Sequence, residues 1–262
     1  HGESYLSRAE VDAYIEELIQ QHDFSRPELE EVLAAAERRQ DIIDLMRRPA
    51  ERRLNWHEYR KIFLDEQRIA GGVEFWQQNQ ATLERAEKEY GVAPEVIVAI
   101  IGVETRYGRV TGRHRVVDAL MTLAFDYPPR ASFFRKELTQ FLLLAREEGK
   151  NPTSLTGSYA GAMGFGQFIP SSYRNYAVDF DRDGVRDIWQ NRTDAIGSVA
   201  NYFSRHGWRG AAQVTLPVQL KAETEQLLDI ANQSLKPTHS VAEMAEMGVI
   251  VDRLDPEARV LL

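Results

Sequence analysis

The run Val96-Ile97-Val98-Ala99-Ile100-Ile101-Gly102-Val103 ends abruptly in a glutamate, and no other stretch restricts the possible folds so tightly. Pro94 suits the first turn of a helix, and positions 96–103 carry no polar side chain on any helical face. The spacing therefore predicts a buried helix with Glu104 at its C-terminal end. Burial disfavours a charged carboxylate, and the negative end of the helix dipole acts in the same direction, so the pKa of Glu104 should rise. A carboxyl that keeps its proton near neutral pH can serve as a general acid. A plainer reading makes Glu104 the first exposed residue of the next loop, and this run alone leaves both open.

Most of the remaining chain has helical periodicity. Val11, Ile15, Leu18 and Ile19 recur at helical spacing between Arg8 and Gln21. Ser25, Pro27 and Glu28 start a second helix that should run to about Arg39, with a short helix over 42–46. A long helical stretch follows over 56–89, with a break expected at Gly71-Gly72. Its Trp56, Tyr59, Phe63, Phe75 and Trp76 are expected in the core. After the Glu104 segment come a short amphipathic helix over 118–125, a helix over 132–148 that closes at Gly149, and another from Ala195. Beyond Gly210 the segments 214–220 and 258–262 read as strands and 240–247 as a short helix. The expected class is therefore mainly α (α+β). A helical lobe spans 1–90, a core spans 91–210, and a small α+β lobe spans 211–262, which reads as cut short at its apolar end.

The net charge of −8 argues against nucleic acid, because phosphate binding relies on clustered Lys and Arg. The pairs Arg47-Arg48 and Arg52-Arg53 lie among acids and read as a solvated helix face. With no cysteine in 262 residues, disulfides and thiol catalysis are excluded. No apolar run reaches the ~18 residues that a transmembrane helix needs.

Two further segments carry chemistry. In 158–172, three glycines alternate with aromatics. Such a loop can bring backbone close to a ligand and offer ring faces to sugars, although close helix packing would also explain the glycines. In Asp179-Phe180-Asp181-Arg182-Asp183-Gly184-Val185-Arg186-Asp187, carboxylates fall at positions 1, 3, 5 and 9 of an EF-hand loop, with glycine at 6 and the Val185 carbonyl at 7. Position 12 is Gln190 rather than Glu, and the next carboxylate is Asp194. Oxygen-only ligands suit calcium; an unmetallated acidic turn is the alternative.

Glu104-Thr105-Arg106-Tyr107-Gly108, the 158–172 segment and Asp194-Ala195-Ile196-Gly197-Ser198-Val199-Ala200-Asn201-Tyr202-Phe203 together resemble the membrane-bound lytic transglycosylase B family, glycoside hydrolase family 103. The likeness covers nearly all of the chain, including the turn Arg48-Pro49-Ala50-Glu51. It implies a lysozyme-like helical core between a helical lobe and a small β-containing lobe. It also implies cleavage of the MurNAc-β-1,4-GlcNAc bond of peptidoglycan with formation of 1,6-anhydro-MurNAc. On this resemblance Glu104 is the sole catalytic acid/base, Ser158 and Gln167 lie in the saccharide groove, and Tyr202 lies near Glu104, holding it by a hydrogen bond. Tyr107, Phe165 and Phe168 are candidates for stacking on sugars, although for each aromatic taken alone core packing is the stronger reading. Calcium is expected on Asp179, Asp181, Asp183, the Val185 carbonyl and Asp194, within a loop spanning 179–194. The expected partners are glycan strands and cell-wall synthases. The expected location is the periplasm of a Gram-negative bacterium, soluble or lipid-anchored. A hydrolytic lysozyme would need a second carboxylate, for which Asp118 and Asp126 are the nearby candidates. A non-catalytic peptidoglycan-binding protein is the reading from a different class.

Overall fold

The computed structural model describes residues 4–48, 54–208, 210, 214–221, 225–233, 236–251 and 254–261. The chain divides into two compact units, residues 1–211 and 212–262. In the first, α1 (Ala9–His22), α2 (Arg26–Ala34), α3 (Gln40–Arg47), α4 (Trp56–Phe63), α5 (Glu66–Gln78) and α6 (Gln80–Tyr90) precede α7 (Pro94–Thr105). Then come β1 (His114–Arg115), α8 (Val116–Phe125), α9 (Ala131–Glu147), β2 (Thr156–Gly157), α10 (Pro170–Tyr176) and α11 (Arg192–Arg205). β1 and β2 pair antiparallel, with His114 opposite Gly157. Buried residues from both sides of residue 90, including Leu83, Ala86, Ile97, Ile101 and Leu120, share one hydrophobic core.

The helix enclosed on all sides is α8 rather than α7. Every residue from Val116 to Ala124 is buried, so the amphipathic helix expected over 118–125 is a core helix. Its one charge is neutralised in place: Asp118 accepts two hydrogen bonds from the Arg115 guanidinium and one from the Glu37 backbone N–H, as a buried carboxylate requires. In α7, by contrast, Ala99 and Val103 are exposed. Burying Ile97, Val98 and Ile101 contributes about 1.5–3 kcal/mol each.

Gly71-Gly72 does not break a helix. The pair lies inside α5, and the breaks fall instead where Asp65 caps α5 through the Arg68 N–H and at Asn79, between α5 and α6. The two glycines and Gly102 of α7 form a slot filled by the Tyr107 ring. An added Cβ would lie 3.1, 2.6 and 2.5 Å from that ring or its hydroxyl at Gly71, Gly72 and Gly102. The Tyr107 hydroxyl donates to the Arg68 carbonyl at 2.8 Å.

Of the aromatics expected in the core, Phe75 is buried, whereas Trp56 is 70% and Tyr59 47% exposed. They stand on α4, which buries no residue. The second helix stops at Ala34 rather than near Arg39, since the Arg39 N–H is taken by the Thr122 hydroxyl. The turn residues Pro49, Ala50 and Glu51 lie outside the described residues.

The second unit contains β3 (Gln219–Leu220), α12 (Glu225–Gln233), β4 (His239–Ser240), α13 (Val241–Glu246), β5 (Val249–Ile250) and β6 (Arg259–Val260). β3 pairs with β5 and β4 with β6, both antiparallel, around Leu227, Met244 and Val249. The strands expected over 214–220 and 258–262 shrink to two residues each. Pro217, which has no N–H for a ladder, precedes the first, and Leu262 lies outside the described residues. No described helix is long and apolar enough to cross a membrane.

Candidate active site

α7 ends in a Schellman-type cap built without glycine. Arg106 and Tyr107 both adopt left-handed backbone, with φ of 50° and 62°, and the Tyr107 N–H reaches back to the Ile101 carbonyl. Left-handed backbone costs a non-glycine residue about 1–2 kcal/mol, and the Tyr107 ring in its glycine slot offsets that cost. Thr105, buried beside it, donates its hydroxyl to the Phe165 carbonyl at 2.8 Å and accepts the Gly108 N–H at 3.0 Å. The end of α7 is thus latched to the glycine-rich loop.

That loop folds back on itself through paired backbone bonds between Met163 and Phe168. Gly164 (φ 70°) is required here, because a Cβ would sit 2.4 Å from the Ile188 carbonyl. Gln167 is also left-handed, φ 53°, and is held there by its own amide, which donates to the carbonyls of Thr111 and Gly164. α10 follows, with its Ser171 N–H capped by the buried Glu137 carboxylate at 2.9 Å.

Between α7, this loop and α11 lies a cleft of about 330 Å³, lined by Ile100, Glu104, Gln167, Phe168, Ser172 and Tyr202 together with Gly166, Ile169, Val199 and Phe203. Glu104 is the one carboxylate among these lining residues. Its side chain keeps solvent contact, yet the cleft walls withdraw enough water from the carboxyl to raise its pKa above the ordinary value. Phe168 meets Tyr202 edge to face at 5.8 Å.

At the other end of α11 is the acidic loop. Carboxylate oxygens of Asp179, Asp181 and Asp194 lie within 4.8 Å of one another. Asp194 is fully buried and accepts the backbone N–H groups of Phe180 at 2.7 Å, Asp181 at 3.4 Å and Asp187 at 2.8 Å. Asp179 accepts those of Asp183 and Gly184. No Lys or Arg among the described residues forms a salt bridge with these three acids. Three converging oxygens without a counter-charge fit a hard divalent cation.

The profile of the transglycosylase SLT domain family matches residues 7–260. The chain is 42% identical to membrane-bound lytic murein transglycosylase B of Escherichia coli (strain K12), over 95% of this chain and 69% of that protein. The chain belongs to this transglycosylase family. The soluble lytic transglycosylase SltB1 from Pseudomonas aeruginosa superposes with a TM-score of 0.90 at 49% identity, covering 96% of this chain and 84% of that one. The E. coli lytic transglycosylase Slt35 in complex with calcium gives a TM-score of 0.85 at 41% identity, covering 97% and 78%. The fold is thus that of the lysozyme-like lytic transglycosylases.

The structure gathers Glu104, Gln167, Phe168 and Tyr202 in one cleft and leaves out three other expected site residues. Tyr107 is turned into its glycine slot. Phe165 is buried against Gly108, where a Cβ would lie 2.1 Å from the phenyl ring. These two line a separate recess with Phe75 and Arg109. The Ser158 hydroxyl accepts the N–H groups of Ala160 and Ala162 and so braces its own loop. The expected Tyr202–Glu104 hydrogen bond does not occur; the two residues share the cleft without a bond between them among the described contacts. Asp183 is not among the three converging carboxylates, and one of its oxygens accepts the Val185 N–H. The cleft residues not expected from the sequence are Ile100, Gly166, Ile169, Ser172, Val199 and Phe203. Ile100 was findable, since it precedes Glu104 by one helical turn and so shares its face.

The raised pKa sets a pH dependence for the transglycosylase. Glu104 is the candidate general acid, and such a group must carry its proton in the free enzyme, so the expectation is that kcat/KM holds while pH is below the Glu104 pKa and falls as pH rises through it. The alkaline limb should lie above the ordinary glutamate value, and a pH–rate profile on peptidoglycan checks this. A limb at the ordinary carboxylate position would remove the role assigned to desolvation.

Proposed function

We propose that this chain is a lytic transglycosylase that cleaves the MurNAc-β-1,4-GlcNAc bond of peptidoglycan and leaves a 1,6-anhydro-MurNAc end, with Glu104 as its only acid/base. The observation that carries this reading is the single carboxylate among the residues lining the cleft. Retaining and inverting glycosidases both need two, so here the second group must come from the substrate.

Protonated Glu104 gives its proton to the glycosidic oxygen as the bond to C1 breaks. The carbonyl oxygen of the MurNAc N-acetyl group bonds to C1 in its place. The Glu104 carboxylate then takes the proton of the C6 hydroxyl, O6 closes onto C1, and the N-acetyl oxygen is released. No water is consumed, and Glu104 ends as it began. The walls formed by Ile100, Phe168, Val199 and Tyr202 keep the carboxyl partly desolvated, which favours its protonated form before the first step.

Asp118 and Asp126 do not support the hydrolytic alternative. Asp118 is held by Arg115 in the core, and Asp126 by Tyr5, Arg8 and Arg38; neither lines the cleft.

The acidic loop is read as a calcium site of EF-hand type, held by Asp179, Asp181 and Asp194, with Asp183 and the Val185 carbonyl completing the set. The ion would supply a structural cross-link between this loop and the start of α11 and would take no part in bond cleavage. Glycan strands are the partner, and cell-wall synthases are a further expected partner. The location read from the relatives is the periplasm of a Gram-negative bacterium, free or lipid-tethered.

The test is a digest of purified peptidoglycan read by mass spectrometry. Soluble muropeptides one water lighter than hydrolysis products are expected. Products of hydrolytic mass would establish a lysozyme, and glycan binding without products would establish a binding protein.

A further inference from the structure

Tyr202 borders the cleft from α11, and aromatic neighbours enclose its ring. Phe168 and Tyr176 meet it edge to face, at 5.8 and 5.2 Å with interplanar angles of 89° and 82°. Phe203 also meets it edge-on, at 6.2 Å. Among the described residues only His206 lies against its face, with centroids 4.0 Å apart and planes 26° from parallel. The two residues are one helical turn apart, which is the spacing at which side chains on a helix meet.

The imidazole is itself fixed. Its Nδ1 lies 2.7 Å from the Tyr202 carbonyl oxygen, which can only accept, so Nδ1 carries the hydrogen and in the neutral ring Nε2 is left as the acceptor. The same carbonyl accepts the His206 backbone N–H at 3.1 Å. Tyr176 packs on the imidazole at 4.8 Å, and its carbonyl is tied to α11 by the Asn201 amide at 2.8 Å.

We infer that His206 is a positioning residue for catalysis: by covering one face of Tyr202 and locking its own tautomer on the Tyr202 carbonyl, it keeps that ring as a fixed wall of the Glu104 cleft. The remaining ring contacts are edge-on, so without the imidazole the tyrosine gains a second side-chain rotamer, and the wall against which the sugar is aligned with Glu104 becomes loose. This inference rests on the transglycosylase reading of the cleft.

The experiment compares turnover of soluble, uncrosslinked peptidoglycan strands by the whole chain and its variants. His206→Ala should lower kcat roughly ten- to a hundredfold, the scale on which misaligned reactants lose rate, with a smaller change in KM. His206→Phe, which retains a ring over Tyr202, should recover most of the loss. In a Tyr202→Ala background, His206→Ala should cost nothing further, because a residue acting through another is not additive with it. Unchanged turnover in His206→Ala, failure of His206→Phe to rescue, or losses that multiply in the double variant would each overturn the inference. Tyrosine ring NMR separates this inference from the activity reading. The Tyr202 ring protons should be shifted by the imidazole ring current in the unaltered chain and lose that shift in His206→Ala, even if no anhydro product is ever released. An unshifted Tyr202 resonance in the unaltered chain would overturn the clamp directly.

Discussion

Glu104→Gln should abolish release of anhydro-muropeptides while leaving the melting temperature and glycan binding nearly unchanged. General acid or base catalysis is worth roughly 10²–10⁴-fold in rate for one proton transfer. In the proposed cycle one carboxyl performs two transfers, first giving and then taking a proton. Glutamine can do neither, and among the described residues no second carboxylate lines the cleft to substitute for it. The loss should therefore fall at or beyond the upper end of that range. Folding should survive because Glu104 is not buried and makes no described hydrogen bond that the amide would break. The measurement is product release from peptidoglycan beside a thermal melt and a binding isotherm on the same preparation. Residual cleavage within about tenfold of the unaltered rate would remove Glu104 from the chemistry.

The second large effect is expected at Asp194. Its carboxylate is fully buried and accepts three backbone N–H groups of the acidic loop. Asp194→Ala leaves those donors without an acceptor, at about 1–3 kcal/mol for each buried group left unpaired. A total on the order of 3 kcal/mol corresponds to a drop in melting temperature of roughly 10 °C for a chain of this size. Calcium adds a second readout. An ion that binds only the folded state stabilises by about 2.7 kcal/mol at a hundred times its Kd, so the unaltered chain should melt higher with calcium than with a chelator. Asp194→Asn, which keeps an acceptor oxygen but loses the charge, should melt closer to the unaltered chain in chelator and gain little from calcium. Identical melts of the unaltered chain with and without calcium would rule out the metal reading of the loop.

How much of this was legible in the sequence differed from element to element. Glu104 at the end of an apolar helix was legible, because a run of eight residues without a polar side chain has few other folds. The sequence could not show which apolar helix lies at the centre. α7 is the more uniformly apolar but borders the cleft and keeps Ala99 and Val103 in solvent. α8 carries an aspartate, yet is enclosed because Arg115 and the Glu37 N–H arrive from outside the helix to satisfy it. Periodicity sees composition within a segment and not what is brought to it from 80 residues away. The same limit explains Tyr107. An aromatic beside a candidate catalytic glutamate looks like a sugar platform until Gly71, Gly72 and Gly102 show where its ring goes. In the acidic loop the spacing of the aspartates was legible, but the burial of Asp194 and its three N–H partners depend on a helix that begins after the motif ends.

The peg formed by Tyr107 has a consequence for modularity. The turn that aims Glu104 is held by glycines from a helix belonging to the first ninety residues, so the catalytic core is not a transferable cassette. A chimaera that grafted residues 91–208 onto another helical lobe would retain every cleft-lining side chain described above. Unless the donor lobe supplied two small residues and a carbonyl at the places of Gly71, Gly72 and Arg68, the strained pair Arg106-Tyr107 would relax and carry the carboxylate with it. Selection on the geometry of Glu104 therefore reaches two glycines that do not line its cleft.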